Sequence, residues 1–289
     1  MENNIKSIVI SGGGHSILTF YGILKESEKS DFWKLKNIES IYGTSAGSML
    51  AVILALNIDW DILDNYLINR PWHSVFNITA NSIFSIYNNF GIFSKEFIIE
   101  LFKPLFLSND INIDITLKEF YDLNHIDIHI FTTEINSFEY IDINHITHPH
   151  WKVLDAIYAS SAVPLIFYPF KFENKYYIDG GVLIDFPIDI CLKKYNHNEI
   201  IGLNKFQILN EPNLCDDSTI LDFFNILFKK TLKKLLPNID YSHIKNIITV
   251  NQNMVSLDEM IKYSSSSSLR SELITEGEIT FKNFISKYS

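Results

Sequence analysis

Five residues, Gly43-Thr44-Ser45-Ala46-Gly47, constrain this chain more than any other stretch. A short apolar run (Ile38 to Tyr42) leads into them and a long one (Ala46 to Leu56) leads out, which reads as strand, sharp turn and helix. In such a turn the backbone at the central residue is strained and its side chain stands clear of both elements. A residue without a side chain two positions to either side lets the neighbouring backbone approach, which is the physical content of the G-x-S-x-G nucleophile elbow. Ser45 would also sit at the first turn of the following helix, whose unpaired N–H groups favour negative charge. The pattern points to acyl transfer. An ordinary Gly-rich turn satisfies the same five letters, so the neighbouring stretches decide.

The first of these is Gly12-Gly13-Gly14, between a short apolar strand (Lys6 to Ser11) and a helical pattern from about Ser16 to Glu26. Strand, glycine loop and helix make a nest of backbone N–H groups suited to an anion. A dinucleotide site would need Gly near position 17, where Ile17 stands, and no P-loop Lys-Ser/Thr follows. An oxyanion needs the glycines alone. Two strands that each end in such a loop and feed a helix predict a parallel sheet covered on both faces. Ligands of such sheets gather at the carboxyl ends of the strands, so the two loops are expected to be neighbours.

The helix after Ser45 is apolar nearly all round and should be buried, with Asn57 as its end. From Asp59 to about Phe120 the pattern is loosely helical and rich in aromatic residues (Trp60, Trp72, Phe76, Phe84, Tyr87, Phe90, Phe93), read mainly as core. Within it a helix over Phe93 to Phe106 should end near Pro104. Ile126 to Thr132 and Phe138 to Ile143 alternate and form a hairpin through Asn136-Ser137. His145, His148 and His150 read as a solvated loop whose spacing matches no common metal set. A helix from Trp151 to Ala159 precedes Ser160-Ser161-Ala162-Val163-Pro164, and a strand from Lys175 to Ile178 stops at Asp179-Gly180-Gly181. Taken alone, Asp-Gly-Gly is a turn signal. Glu199 to Leu203 is a last central strand.

Ile220 to Leu236 reads as an amphipathic helix that Pro237 stops, with Lys229, Lys230, Lys233 and Lys234 on or beside its polar stripe. Packing on the sheet is the favoured reading, although the same pattern suits a membrane interface. A strand from Ile244 to Val250, one or two helices and a serine loop (Ser264 to Ser268) follow. Residues 1–207 are thus read as the catalytic domain and 208–289 as a helical extension packed on it.

A formal charge of −10 argues against a nucleic-acid partner, because phosphate binding needs a basic face. Two cysteines, Cys191 and Cys215, offer no disulfide framework and suit a reducing compartment. The apolar run before the glycines is too short for a signal peptide. A cytoplasmic protein, peripheral on membranes or exported by a signal-less route, is the expectation.

Gly12-Gly13-Gly14, Gly43-Thr44-Ser45-Ala46-Gly47, Ser160 to Pro164 and Asp179-Gly180-Gly181 stand in an order and spacing that resemble the patatin-like phospholipases, a family of lipid acyl hydrolases. The likeness covers roughly residues 6 to 205 and includes Tyr21 to Lys25 and Leu183 to Ile188. It implies a three-layer α/β/α fold with a mostly parallel sheet, and a calcium-independent serine esterase of phospholipase A or lysophospholipase type. It implies a Ser–Asp dyad with Ser45 as nucleophile and Asp179 as base, and an oxyanion hole at Gly12, Gly13 and Gly14. Gly43, Gly47, Gly180 and Gly181 are its motif glycines. It implies lipid esters as substrates and chemistry without calcium; no cofactor or metal is expected, and peripheral contact with a membrane is left open. The chain departs from the pattern at Ser16, where the family usually has Arg or Lys, and at Ile17, where it usually has Gly. Two other readings stay open: an α/β-hydrolase triad using His197 or His243, and a silent lipid-binding protein on the same scaffold.

Overall fold

The computed structural model describes residues 4–76, 86–207, 213–235, 241, 244–252 and 257–287. Its centre is an eight-stranded mixed sheet. Strands β1 (Ser7–Ile10), β2 (Ser40–Thr44), β3 (Asp127–Glu134), β7 (Ile200–Gln207) and β8 (Ile247–Gln252) run parallel in the order β3-β2-β1-β7-β8. Three antiparallel strands complete it: β4 (Glu139–Ile143) and β6 (Lys175–Asp179) pair with β3, and β5 (Phe170–Phe172) pairs with β6. The short β5 went unread in the sequence, because three residues carry too little periodicity to stand out.

Side chains alternate between two apolar clusters, one on each face, as the two-residue strand period requires. Ile8, Ile10, Ile41 and Ile130 face the larger cluster, whereas Val9, Tyr42, Phe131 and Ile200 face the smaller. The larger holds the helices α1 (Ser16–Lys29), α2 (Ala46–Ala55), α3 (Trp60–Asn69), α4 (Glu96–Leu107), α5 (Leu117–Asn124) and α6 (Val153–Ser161). The smaller is closed by α7 (Ile188–Cys191) and the chain about it. Each large aliphatic or aromatic side chain so buried contributes about 1.5–3 kcal/mol, so these two clusters hold the layers together. The result is the three-layer α/β/α arrangement.

The C-terminal stretch supplies α8 (Ile220–Leu235), β8, α9 (Leu257–Ser265) and α10 (Ser267–Ser286). Helix α10 lies against α1 with the backbones in contact at two glycines. A Cβ on Gly22 would fall 2.1 Å from the Ile274 carbonyl oxygen, and one on Gly277 the same distance from that of Thr19. Beside this crossing the buried Lys25 ammonium bridges Asp64 (2.9 Å) and Glu278 (2.6 Å). Buried Arg270 donates to the carbonyls of Ile68, Arg70, Tyr263 and Ser264, joining α10 to the end of α3.

Four local expectations are corrected. Pro104 lies inside α4 rather than at its end. Proline cannot donate to the carbonyl four residues back, and that carbonyl, on Glu100, instead accepts from Arg70 Nη2 at 2.8 Å. His145 is not a solvated side chain: its ring stacks on Tyr121 with centroids 3.7 Å apart and its Nδ1 lies 3.0 Å from Asp127. The serine run is not a loop. Ser264 and Ser265 end α9, Ser266 caps α10 by accepting from the Leu269 amide, and α10 starts at Ser267. Finally, α8 does not bury its whole apolar face, because Ile220, Phe223, Phe224 and Leu227 are exposed. Phe84, Leu236, Pro237 and His243 lie outside the described residues.

Candidate active site

The registers of three strands place the candidate nucleophile and base together. On β3, β2 pairs up to Thr44↔Phe131, and β6 pairs from Thr132↔Asp179 onward. Strand β4 covers Ile130 to Glu134 from the other edge, so β2 and β6 share one edge of β3 and meet end to end. Thr44 and Asp179 therefore oppose consecutive residues of β3, one strand step (about 3.3 Å) apart along it. Both chains leave the sheet there, one into the elbow and the other into Gly180-Gly181.

At the elbow Ser45 has φ 53° and ψ −122°, the strained turn expected of a nucleophile. The strain is held by hydrogen bonds. The Ser45 amide donates to Ser160 Oγ (2.8 Å), which donates onward to the Phe131 carbonyl (2.6 Å), while Ser48 Oγ donates to the Ser45 carbonyl (2.6 Å). The flanking glycines are sterically required. A Cβ on Gly47 would lie 2.3 Å from the Ile10 carbonyl oxygen, and one on Gly43 2.5 Å from that of Gly47.

Asp179 is buried, at 6% exposure. Its amide donates to the Ala162 carbonyl (2.9 Å) and its Oδ1 accepts from the Gly181 amide (2.7 Å). Burial pushes its carboxyl up to about 6, against the opposing effects of the Ser45 hydroxyl and the Gly181 amide; Asp185 adds to the rise and Lys205 opposes it. Oδ2 is buried with no partner of hydrogen-bonding geometry. A carboxylate so placed is a stronger base than one in water.

The glycine loop lies directly against Ser45, since a Cβ on Gly12 would be 3.3 Å from that of Ser45. Gly14 has φ 49°, which glycine adopts without strain. The Gly12 amide already donates to the Asp185 carbonyl (3.0 Å), while Lys205 Nζ donates to the Gly12 carbonyl (2.8 Å) and to Asp185 Oδ1 (2.9 Å). A half-buried ammonium thus holds the loop from β7, although Ser16 supplies no cation and is itself buried in α1. Sequence reasoning assigned no role to Ser160, Asp185 or Lys205. Ser160 and Asp185 do stand within the Ser160 to Pro164 and Leu183 to Ile188 stretches, and Lys205 lies near the end of a largely apolar strand.

The model of the patatin-like phospholipase family matches residues 8–192. The chain belongs to this family. It is 27% identical over 193 residues to a probable lipid hydrolase of Invertebrate iridescent virus 6, a match covering 66% of this chain and 64% of that protein. It is 25% identical over 207 residues to an uncharacterised protein of Acanthamoeba polyphaga mimivirus, covering 68% of each. The chain thus spans just under two thirds of the length of the iridescent virus protein. The fold is similar to VipD from Legionella pneumophila, with a TM-score of 0.51 at 15% identity over 94% of this chain and 67% of that one.

In this patatin-like chain His197, the described candidate for a triad histidine, is placed elsewhere. His197 is exposed in the turn before β7, at the opposite ends of the parallel strands from Ser45. His15, at the start of α1, stacks on Tyr263 with centroids 4.5 Å apart, and burial pushes its pKa down to about 4. Among the described residues no group of three or more His, Cys, Asp and Glu side chains stands together as a metal site. A surface cavity lined by Lys6, Glu39, Tyr121, Asp127, His145 and Lys194 opens at the amino ends of the strands, away from Ser45.

Proposed function

We propose that the chain is a lipid acyl hydrolase of phospholipase A or lysophospholipase type, working through a Ser45–Asp179 dyad. The observation that carries this reading is the end-to-end meeting of β2 and β6 along one edge of β3, at which the chain turns into Ser45 on one side and ends β6 at Asp179 on the other. Asp179 takes the Ser45 hydroxyl proton as the oxygen attacks the ester carbonyl. The tetrahedral intermediate collapses to an acyl-enzyme and the alcohol leaves with that proton. Water deprotonated by the same carboxylate then releases the fatty acid.

The developing oxyanion is received by the glycine loop. Because the Gly12 amide already donates to the Asp185 carbonyl, Gly12 serves close approach, and a backbone donor to the oxyanion must come from elsewhere in the loop. One such donor is worth about 3 kcal/mol in comparable enzymes. The raised pKa of Asp179 supports its role as base, and an acyl chain that displaces water from the buried carboxylate would strengthen it further. Long-chain lipid esters therefore suit the site better than small soluble ones, and no step calls for calcium.

Separate Ser45→Ala and Asp179→Asn variants, assayed for fatty-acid release from phospholipid and lysophospholipid with and without a calcium chelator, test the proposal. Both should be inactive, chelation should change little, and a fluorophosphonate probe should label the wild type but not Ser45→Ala. Full turnover in either variant would end the dyad; absent labelling and turnover in the wild type would favour a silent lipid-binding scaffold.

A further inference from the structure

Helix α8 follows β7, the strand whose Lys205 reaches the glycine loop, and leads to β8, which pairs parallel with β7. It is therefore the crossover helix of a parallel pair, a position in which an apolar stripe ordinarily packs on the sheet. Here Ile220, Phe223, Phe224 and Leu227 are 67%, 40%, 49% and 51% exposed. Their spacing of three, four and seven residues puts them on one side of the helix. Continued along the helix, the same side carries Lys230 and Lys234, both exposed. The side is thus apolar in its first half and cationic in its second, about 20 Å from Ile220 to Lys234 at 1.5 Å per residue.

The helix holds four lysines against one acid, Asp222, in a chain whose formal charge is −10. The Asp222 carboxylate accepts from the Thr219 amide and hydroxyl at the helix start, so it is occupied as a cap. No helix among the described residues is long and apolar enough to cross a membrane.

We propose that α8 docks the protein on an anionic lipid surface, lying in the interface with Ile220, Phe223, Phe224 and Leu227 among the acyl chains and Lys230 and Lys234 at the headgroups. The pattern favours this occupant, because four large apolar side chains followed by lysines match acyl chains edged by anionic headgroups. A second copy of a chain whose formal charge is −10 is on balance a like-charged partner. The proposal rests on the lipid-hydrolase reading for its purpose. Docking beside the strand that carries Lys205 would bring the active-site edge to where an insoluble substrate resides.

The test uses full-length protein carrying Ser45→Ala, so that vesicles are not consumed. Co-sedimentation with phosphatidylcholine vesicles, with and without phosphatidylserine, compares the parent with Phe223→Ser/Leu227→Ser and with Lys230→Glu/Lys234→Glu. Removing the two apolar anchors should lower vesicle partition about tenfold or more. Reversing the lysines should abolish both the preference for phosphatidylserine and its sensitivity to salt. Unchanged thermal melting of the variants, and unchanged hydrolysis of a soluble short-chain ester when they are placed in the Ser45 enzyme, show that fold and site are intact. Equal partition in all three proteins overturns the proposal. So does a concentration-dependent dimer in sedimentation velocity that Phe223→Ser/Leu227→Ser dissolves while no vesicle binding occurs, since the face would then join two copies. Vesicle binding without any ester hydrolysis would leave the docking surface standing and remove the hydrolase.

Discussion

Asp179→Asn should abolish turnover and stabilise the protein at the same time. In the unfolded chain the carboxyl titrates near 3.8, whereas in the folded protein burial holds it at about 6. The folded state therefore binds the proton more tightly. The stability this one group contributes is fully present below pH 3.8, falls as the pH rises, and is gone once the pH passes the folded value near 6. At about 1.4 kcal/mol per pH unit, the interval from 3.8 to about 6 amounts to a cost of about 3 kcal/mol at neutral pH. Asparagine keeps an oxygen for the Gly181 amide and carries no charge, so the cost disappears. Thermal unfolding of both proteins at about pH 8 should show Asp179→Asn melting higher by roughly 5 °C. At about pH 4 the gain should nearly vanish, because the wild-type carboxyl is then protonated when folded. An equal gain at both pH values, or none at the higher one, would refute the assignment of Asp179 as a buried carboxylate held against its desolvation.

Further outcomes follow from the same geometry. The value of kcat/KM should rise with pH through a midpoint near 6 and stand about a hundredfold below its plateau at pH 4, as a pH–rate profile on a soluble ester would show. Ser160→Ala leaves the Ser45 amide without its acceptor, which costs about 1–3 kcal/mol of stability. It should lower kcat more than it changes KM, and wild-type kcat would show that the elbow holds itself. Lys205→Met removes the ammonium that joins Gly12 to Asp185 and opposes the rise at Asp179. Its pH–rate midpoint should move upward and kcat should fall, with Lys205→Arg restoring part of both; an unmoved midpoint would show that Lys205 only packs.

The features legible in the sequence are those whose cause is local. The elbow and the glycine loop announce themselves because a strained turn and a close backbone approach admit so few residue types. Strands β1, β2 and β7 and the buried helix α2 show in their apolar runs. Pro104 misled because the donor that rescues the Glu100 carbonyl, Arg70, lies thirty residues earlier. His145 misled because Tyr121, on which it stacks, belongs to α5, more than twenty residues earlier. Helix α8 misled because a 3.6-residue period records that one side is apolar and says nothing of what lies across from it.

Residue order alone thus determined a parallel-sheet scaffold with a serine on one turn and glycines on its neighbour, since periodicity and turn sterics act over a few residues. That Asp179 comes to Ser45 was decided by tertiary structure: β6 runs antiparallel into the place along β3 that β2 vacates. The ammonium that holds the glycine loop likewise comes from 193 positions away. Strand pairing and burial set both, and these depend on which surfaces meet, a property that no local stretch of sequence contains.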